Sequence, residues 1–322
     1  MDNENIKFSI VIPTYNMSKY IGESIESVLN QSYKNYEIII CDNASTDNTS
    51  DIVAKYMCDK IKYVRNEHNL GPVANFNLGI NIASGDIVKF LEADDFLHRD
   101  CLSIIKKKFE SYPNASMVST GRFYIDSESI VFSAYSNKNE ELIENGYSFM
   151  RNLLYGNEFG TPSDIAIKRY VFSNVMCFDL LYGSYLNDWD LWIRIAREYS
   201  TVLIPDKLSY VRRHSEQMGI TGSLNNKDVI VNYVMIKKLY SNSYLSMIPI
   251  ATKSAVYYEY RALLLFLKIP SKKTVTNFIW ILKLAYKYFG ILFLLIHSLL
   301  FLPTILVIEI IKKFDRTYKK IS

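Results

Sequence analysis

The amino-acid sequence predicts an α/β chain: a mostly parallel sheet with helices on both faces, followed by a helical C-terminal region with a strongly apolar segment. Three observations predict it. Short apolar runs alternate with helix-spaced stretches up to residue 91, a rhythm that makes parallel strands joined by crossover helices. The runs at 8–12, 37–41 and 86–91 each end in a polar cluster, at the sheet edge where open α/β folds gather ligands. From residue 275 to 311 the composition turns apolar.

Taken in order, residues 8–12 (FSIVI) form a β-rich run that Pro13 stops. Ser18 opens a helical stretch through Val28, with Ile21, Ile25, Val28 and Leu29 on one face. Residues 37–41 (EIIIC) make a second buried strand, closing in the polar turn 42–47. A helix over 49–57 leads to a strand at 61–65, and a helix over 72–83 leads to a strand at 86–91. From 115 to 225 the pattern is less regular, with strands near 117–125, 130–134, 164–167, 201–204 and 208–211. Within it, residues 188–197 (DWDLWIRIAR) are an amphipathic helix, and residues 226–268 are helical in pattern. The chain thus divides into an α/β domain at 1–225 and a helical region at 226–322.

A chain of 322 residues can bury the core of one large α/β domain and carry an appendage. A net charge of +4 is too small to imply a nucleic-acid partner. Tyr (25) and Phe (17) outnumber Gly (12) and Pro (8), as in an ordered protein with few linkers. Cys41, Cys58, Cys101 and Cys177 lack paired C-x-x-C spacing, which predicts reduced thiols in a cytosolic setting. Residues 1–5 (MDNEN) are polar and acidic, so no secretory signal is expected to open the chain.

The clusters Thr14-Tyr15-Asn16, Asp42-Asn43 and Glu92–Asp95 all fall at strand ends and converge on one edge as a site. Carboxylates at the end of a buried strand are badly solvated unless something positive lies against them. A divalent metal carrying a phosphate is the natural partner. The loop after the first strand reads PTYNMSKY, not the Gly-rich basic loop that a nucleotidyltransferase needs for a triphosphate. Nor does a G-x-G-x-x-G follow Ile12, which excludes a dinucleotide-binding dehydrogenase.

Six motifs in order, FSIVIPTYN (8–16), EIIICDNASTDNT (37–49), NLGPVANFNLGI (69–80), GDIVKFLEADD (85–95), NDWDLWIRIA (187–196) and YVRRH (210–214), resemble the family 2 glycosyltransferases, inverting enzymes of the GT-A fold. The resemblance runs from about residue 7 to residue 219. It implies that Pro13, Thr14 and Tyr15 cup a nucleoside, with the Tyr15 ring against the base. It also implies that Asp42 hydrogen-bonds the base or ribose, the alternative being a turn cap, and that Asn69 joins the same nucleotide-sugar set. Glu92-Ala93-Asp94 stands at the metal-binding D-x-D, with Glu in place of the first Asp. Asp94 is then the direct ligand of Mg²⁺ or Mn²⁺, and Glu92 lies toward the ribose or behind the metal. Asp95 either shares this role or caps the next helix.

Asp188 matches the catalytic base, with Asn187 where an acid usually precedes it; Asp190 is read first as a helix-capping acid. Trp189 and Trp192 have faces on which an acceptor sugar could stack, and one of them is expected to face the core. The resemblance places His214 in the metal or pyrophosphate site; from the residues themselves, Arg212 and Arg213 are expected against phosphate or surface carboxylates, and residues 215–223, with Gly219 and Gly222, as a lid. The implied activity is inverting transfer from a nucleotide sugar, UDP-sugar preferred over dTDP or GDP, to a lipid-linked saccharide acceptor. No Q-x-x-R-W motif occurs, which favours single additions. The other reading is a degenerate GT-A domain that binds sugar nucleotides or scaffolds a membrane complex.

Residues 289–311 contain no Lys or Arg and are long enough to span a bilayer. Lysines at 268, 272, 273, 283 and 287 precede the segment, and Lys312, Lys313, Arg316, Lys319 and Lys320 follow it, so both flanks favour the cytosol. With Pro303 interrupting the run, a re-entrant hairpin or in-plane anchor is expected ahead of a single span. That sets the protein at the cytoplasmic face of a bacterial inner membrane.

Overall fold

The computed structural model describes residues 6–136, 139–143, 145–146, 157, 159–180 and 187–213, all within the first of two compact units, Met1–Thr221. Strand β1 (Phe8–Thr14) is the centre of its first half. It pairs in parallel with β2 (Tyr36–Asp42) on one side and β4 (Ile87–Phe90) on the other, and β3 (Ile61–Arg65) lies outside β2. Ile38, Ile39 and Ile40 are all fully buried, as a strand covered on both faces requires. Helix α1 (Ile21–Leu29) sets Ile21, Ile25 and Val28 against Ile10, Ile12, Ile38 and Ile40, and Val53 of α2 (Thr49–Ala54) joins them. Helix α3 (Pro72–Ile82) covers the opposite face. It lies so close that a β-carbon at Gly79 would collide with Val11.

Pro13 does not stop β1. Its register with β2 continues through Pro13↔Cys41 to Thr14↔Asp42, whereas β4 has left off at Val11↔Phe90. The missing N–H of Pro13 thus falls where β4 makes no ladder bond. Helix α1 starts at Ile21, later than Ser18; the turn before it bonds the Ile21 N–H to the Met17 carbonyl (2.9 Å), and the Met17 and Ser18 amides go to Thr49 Oγ1 (3.0 Å) and Asp47 Oδ2 (3.0 Å).

The second half comprises β5 (Phe96–Leu97), α4 (Cys101–Ser111), β6 (Ala115–Ile125), β7 (Val131–Tyr135), β8 (Glu141–Ile143), a 3₁₀ turn (Pro162–Asp164), β9 (Ile165–Lys168), α5 (Val171–Asn174), α6 (Asn187–Glu198) and β10 (Ser200–Arg212). The sheet order is β3-β2-β1-β4-β9-β6-β10-β5, with β7 on β6 and β8 on β10. It is a mixed sheet: the expectation of a mostly parallel one holds up to β4 and again where β10 lies parallel to β6, but not between them. Strand β9 runs antiparallel to both β4 and β6, and β5, β7 and β8 are antiparallel to their neighbours. The two strands expected at 201–204 and 208–211 are one, β10, with register shifts against β6 around Pro205, where the backbone has no N–H to give. Among the described residues no helix is long and apolar enough to cross a membrane. The apolar segment at 275–311 and the domain boundary at 225 lie outside the described residues.

Candidate active site

Beyond β4, the backbone runs Leu91-Glu92-Ala93-Asp94-Asp95 along the carboxyl end of the sheet, and buried side chains hold it from three sides. From α1, Ser24 Oγ donates to the carbonyls of Ala93 (2.9 Å) and Asp95. From the 3₁₀ turn, Ser163 Oγ accepts the Glu92 N–H (3.0 Å) and donates to Asp95 Oδ2 (2.6 Å). From β10, the Arg212 N–H reaches Asp95 Oδ1 (2.8 Å), and Arg212 Nε donates to the Asp94 carbonyl (2.7 Å). Asp95 therefore does not cap the next helix, where Asp100 takes the N-cap position; it ties the acidic loop to β10 and the turn.

Burial and the charge of Asp94 push the Asp95 carboxyl up to about 8, against the pull of Ser163 and Arg212. Burial, then Asp95, Asp94 and Asp188, raise Glu92 well above the usual carboxylate range, and Arg213 offsets part of this. Lys89, fully buried on β4, donates to the carbonyls of Phe90 (2.7 Å) and Ser163 (2.5 Å), and burial lowers it to about 8. Hard oxygen donors that repel one another suit a hard divalent cation. Mg²⁺ in particular is held by one or two carboxylates together with substrate phosphates. The described residues offer no cluster of three or more His, Cys, Asp or Glu that could hold a metal, so a diphosphate would have to complete the site around Asp94. His214 and the lid at 215–223 lie outside the described residues.

At the nucleoside end, Pro13 and Thr14 close β1, and Tyr15 is 42% exposed, its ring open to a ligand. The Thr14 carbonyl takes the Asn43 N–H (2.9 Å), while its buried Oγ1 has no hydrogen-bond partner. Asp42 is fully buried; Oδ1 accepts the Ser45 N–H (2.8 Å) and Oδ2 the Tyr63 hydroxyl (2.5 Å), the geometry of a turn cap. Asn69, exposed, accepts the Asn43 Nδ2–H (2.8 Å) and the Gly71 N–H (2.8 Å), shaping the loop before α3.

On the other side, Asp188 stands in the first turn of α6. Burial of its carboxyl raises it to about 6, while its own and the Trp189 N–H groups and Asn157 pull the other way. Asp188 and Glu92 are close enough to repel, so the fold brings the expected base to the acidic loop. Asp190, also in the first turn and buried, pairs with Arg194 (2.8 Å). Both tryptophans are buried, so the expectation that one faces the core holds for each of them and neither offers a stacking face. Trp192 packs 6.0 Å from Phe90 and from Phe178, and the Trp189 Nε1 has no partner. Arg212 is buried against Glu23, Ser129 and backbone carbonyls, so it meets no phosphate; Arg213 is exposed beside Tyr124.

Sequence reasoning missed Ser24, Asn157, Ser163 and Lys89. Lys89 carried a signal, a charge inside the apolar run IVKF. Asn157 and Ser163 carried none, because they sit in irregular chain and act on residues far away in sequence.

A family model for "Glycosyl transferase family 2" matches residues 9–176. An uncharacterized glycosyltransferase of Rickettsia conorii is 33% identical over 220 residues, 64% of this chain and 33% of that protein. The chain therefore spans about a third of the length of the Rickettsia proteins it matches. The GalNAc(5)-diNAcBac-PP-undecaprenol beta-1,3-glucosyltransferase of Campylobacter jejuni is 27% identical over 240 residues, 73% of this chain and 74% of that one. Among solved structures, S. aureus TarS in complex with UDP-GlcNAc has a TM-score of 0.57 at 17% identity, covering 88% of this chain and 92% of that one. The mannosyltransferase PcManGT from Pyrobaculum calidifontis, in complex with GDP-Man and Mn²⁺, has a TM-score of 0.55 at 18% identity, covering 88% and 82%. At these identities the structural likeness concerns the fold.

Proposed function

The chain belongs to glycosyl transferase family 2, and from that premise we propose that it transfers a sugar, with inversion, from a nucleoside-diphosphate donor to a lipid-linked saccharide. The observation that carries the reading is Asp188, a carboxyl raised to about 6 at a helix start and set against the acidic loop through Glu92. A base of that strength is ionised at neutral pH yet still takes a proton readily. Asp188 accepts the proton of the acceptor hydroxyl, whose oxygen attacks the anomeric carbon on the face opposite the departing diphosphate; an α-linked donor then gives a β-linkage. Pro13, Thr14, Tyr15, Asp42 and Asn69 form the nucleoside end of the donor site, with Glu92 and Ala93 along the ribose. Mg²⁺ or Mn²⁺ held by Asp94, with His214 as a further ligand, would supply positive charge against the leaving diphosphate.

A lipid-linked acceptor is supported by the name of the Campylobacter relative, and a UDP-sugar by the UDP-GlcNAc complex of the TarS fold. GDP remains an alternative nucleotide because a GDP-Man complex shares that fold. The apolar residues 289–311 would hold the enzyme at the cytoplasmic face of the membrane, beside such an acceptor. A scaffold without activity is the weaker reading, since the base and the acidic loop stand together. The test is full-length protein with Mn²⁺, UDP-, dTDP- and GDP-sugars and a polyprenyl-diphosphate saccharide in detergent. Lipid-linked product from one donor is expected; donor binding without any transfer or hydrolysis would favour the scaffold.

A further inference from the structure

We propose that Asn157 is a positioning residue, which fixes the Asp188 carboxylate toward the acceptor hydroxyl by donating a side-chain N–H to it. The proposal rests on the reading of Asp188 as the base. Asn157 Nδ2 lies 3.3 Å from Asp188 Oδ2, across 31 residues of sequence. The amide is not free to swing. Its Oδ1 accepts the Gly160 N–H (3.1 Å), and its Nδ2 also donates to the Gly160 carbonyl (3.0 Å). That carbonyl in turn takes the Trp192 Nε1–H (3.2 Å) from the helix that carries Asp188, so two bonds link the turn to α6.

The turn itself is held rigidly from below. Gly160 has φ +106°, and a β-carbon there would strike Arg122 and Asp164. Asp164 is fully buried, ion-paired with Arg122, and also accepts the Thr161 N–H (3.0 Å) and the Ser209 hydroxyl. Three residues after Gly160, Ser163 grips Glu92 and Asp95. One short segment thus holds the base at one end and the donor-side acids at the other, and sets the distance between them. Such preset placement is what a reacting pair needs, since small misplacements cost large factors in rate.

Among the described residues, the charged group facing Asp188 from another element is Glu92, an acid. On its own helix Asp190 is paired with Arg194, and behind the turn Arg122 and Asp164 pair with each other. Asn157 is the donor that reaches the base from outside its helix. Losing it removes a hydrogen bond to the charged form, and an acid in its place adds a like charge; both raise the carboxyl's pKa.

The experiment uses full-length Asn157→Asp and Asn157→Ala with UDP-GlcNAc and Mn²⁺, following transfer or slow donor hydrolysis across pH. The Asp188 carboxyl is followed in parallel by ¹³C NMR, assigned by its loss in Asp188→Asn. Asn157→Asp keeps the acceptor for the Gly160 N–H. It should move the acidic limb up by about one pH unit, which by itself lowers kcat at pH 7 only about twofold, and lower the plateau kcat roughly tenfold through misplacement of the base, with donor KM unchanged. Asn157→Ala should move the same limb in the same direction by less. If Asn157→Asp does not fold, the Asn157→Ala profile decides. Unchanged limbs and an unshifted NMR titration overturn the proposal while leaving the base reading intact. Turnover retained in Asp188→Asn instead sinks the base reading itself, and this proposal with it.

Discussion

Residues 6–91 and 92–213 build the two sides of the site by different means. On the donor side, β1 to β4 are short apolar runs whose neighbours in space follow from neighbours in sequence, and the ligand-facing groups are simply what each strand ends in. In residues 92–213 the groups that matter, the acids of the loop after β4 and the acceptor-side base alike, are placed by long-range buried polar contacts: Ser163 to Glu92, Arg212 to Asp95, Arg122 to Asp164, Asn157 to Asp188. The first construction tolerates error, because apolar packing is non-directional. The second is rigid when every partner is present and fails sharply when one is lost.

The largest expected effect falls on the acceptor side. Asp188→Asn keeps the shape but cannot take a proton, and should lower kcat by about 10²–10⁴-fold with donor affinity retained. In the wild type the base works only when ionised, so activity should be present above pH 6 and fall about tenfold per unit as pH drops through about 6. A flat profile from pH 5 to 8 would remove Asp188 from the role.

Next comes the scaffold beneath it. Arg122→Ala leaves Asp164 as an uncompensated buried charge and should destabilise the domain by about 3–5 kcal/mol, read by urea unfolding. A loss below about 1 kcal/mol would mean that the acceptor side is as tolerant as the donor side, and the contrast would collapse.

The metal sharpens the comparison at the seam. Asp95 rises from its ordinary 3.8 to about 8 in the folded protein. The folded state therefore holds a proton that the unfolded state has released, and metal-free stability should decline as pH rises from about 4 through about 8. Mn²⁺ should reverse that decline, most strongly at pH 8, in thermal unfolding. Asp94→Ala removes both the ligand and the charge beside Asp95, so its melting temperature should vary less with pH and ignore Mn²⁺. A Mn²⁺ response equal to wild type in Asp94→Ala would overturn the metal assignment.

The same contrast explains what could be read without coordinates. The strands at 61–65 and 86–91, the cluster Glu92–Asp95 and the placement of Asp188 at a helix start were legible, because each is a local pattern. The helix after the acidic loop was expected without bounds; α4 sets Leu102, Ile105 and Phe109 on one face and begins after Asp100, not after Asp95. The role of Asp95 escaped because its partners, Ser163 and Arg212, lie 68 and 117 residues away. Burial of both Trp189 and Trp192 escaped because α6 is covered by aromatic residues from β4 and from the chain after α5, which no helix pattern reveals.

The smallest expected effect closes the comparison, because it sets a matched pair of changes against each other. Ile39→Val removes one methylene from a fully buried site on β2, on the face that α3 covers. It should cost about 0.5–1.5 kcal/mol and orphan no polar group. Since β1 stands between β2 and β4, the strand that leads into the acidic loop, kcat and donor KM should stay within about twofold. Ser163→Ala also removes a single heavy atom from a fully buried site, and its stability cost should be of similar order, about 1–3 kcal/mol. There, however, the Glu92 N–H and one Asp95 oxygen lose their partner. The acidic loop should loosen, and the Mn²⁺ concentration for half-maximal activity should rise severalfold. Two variants of comparable melting temperature would then differ in metal dependence alone. If Ile39→Val shifted the Mn²⁺ response as far as Ser163→Ala, the loop would be following the stability of the whole sheet, and the distinction between the two sides would be wrong.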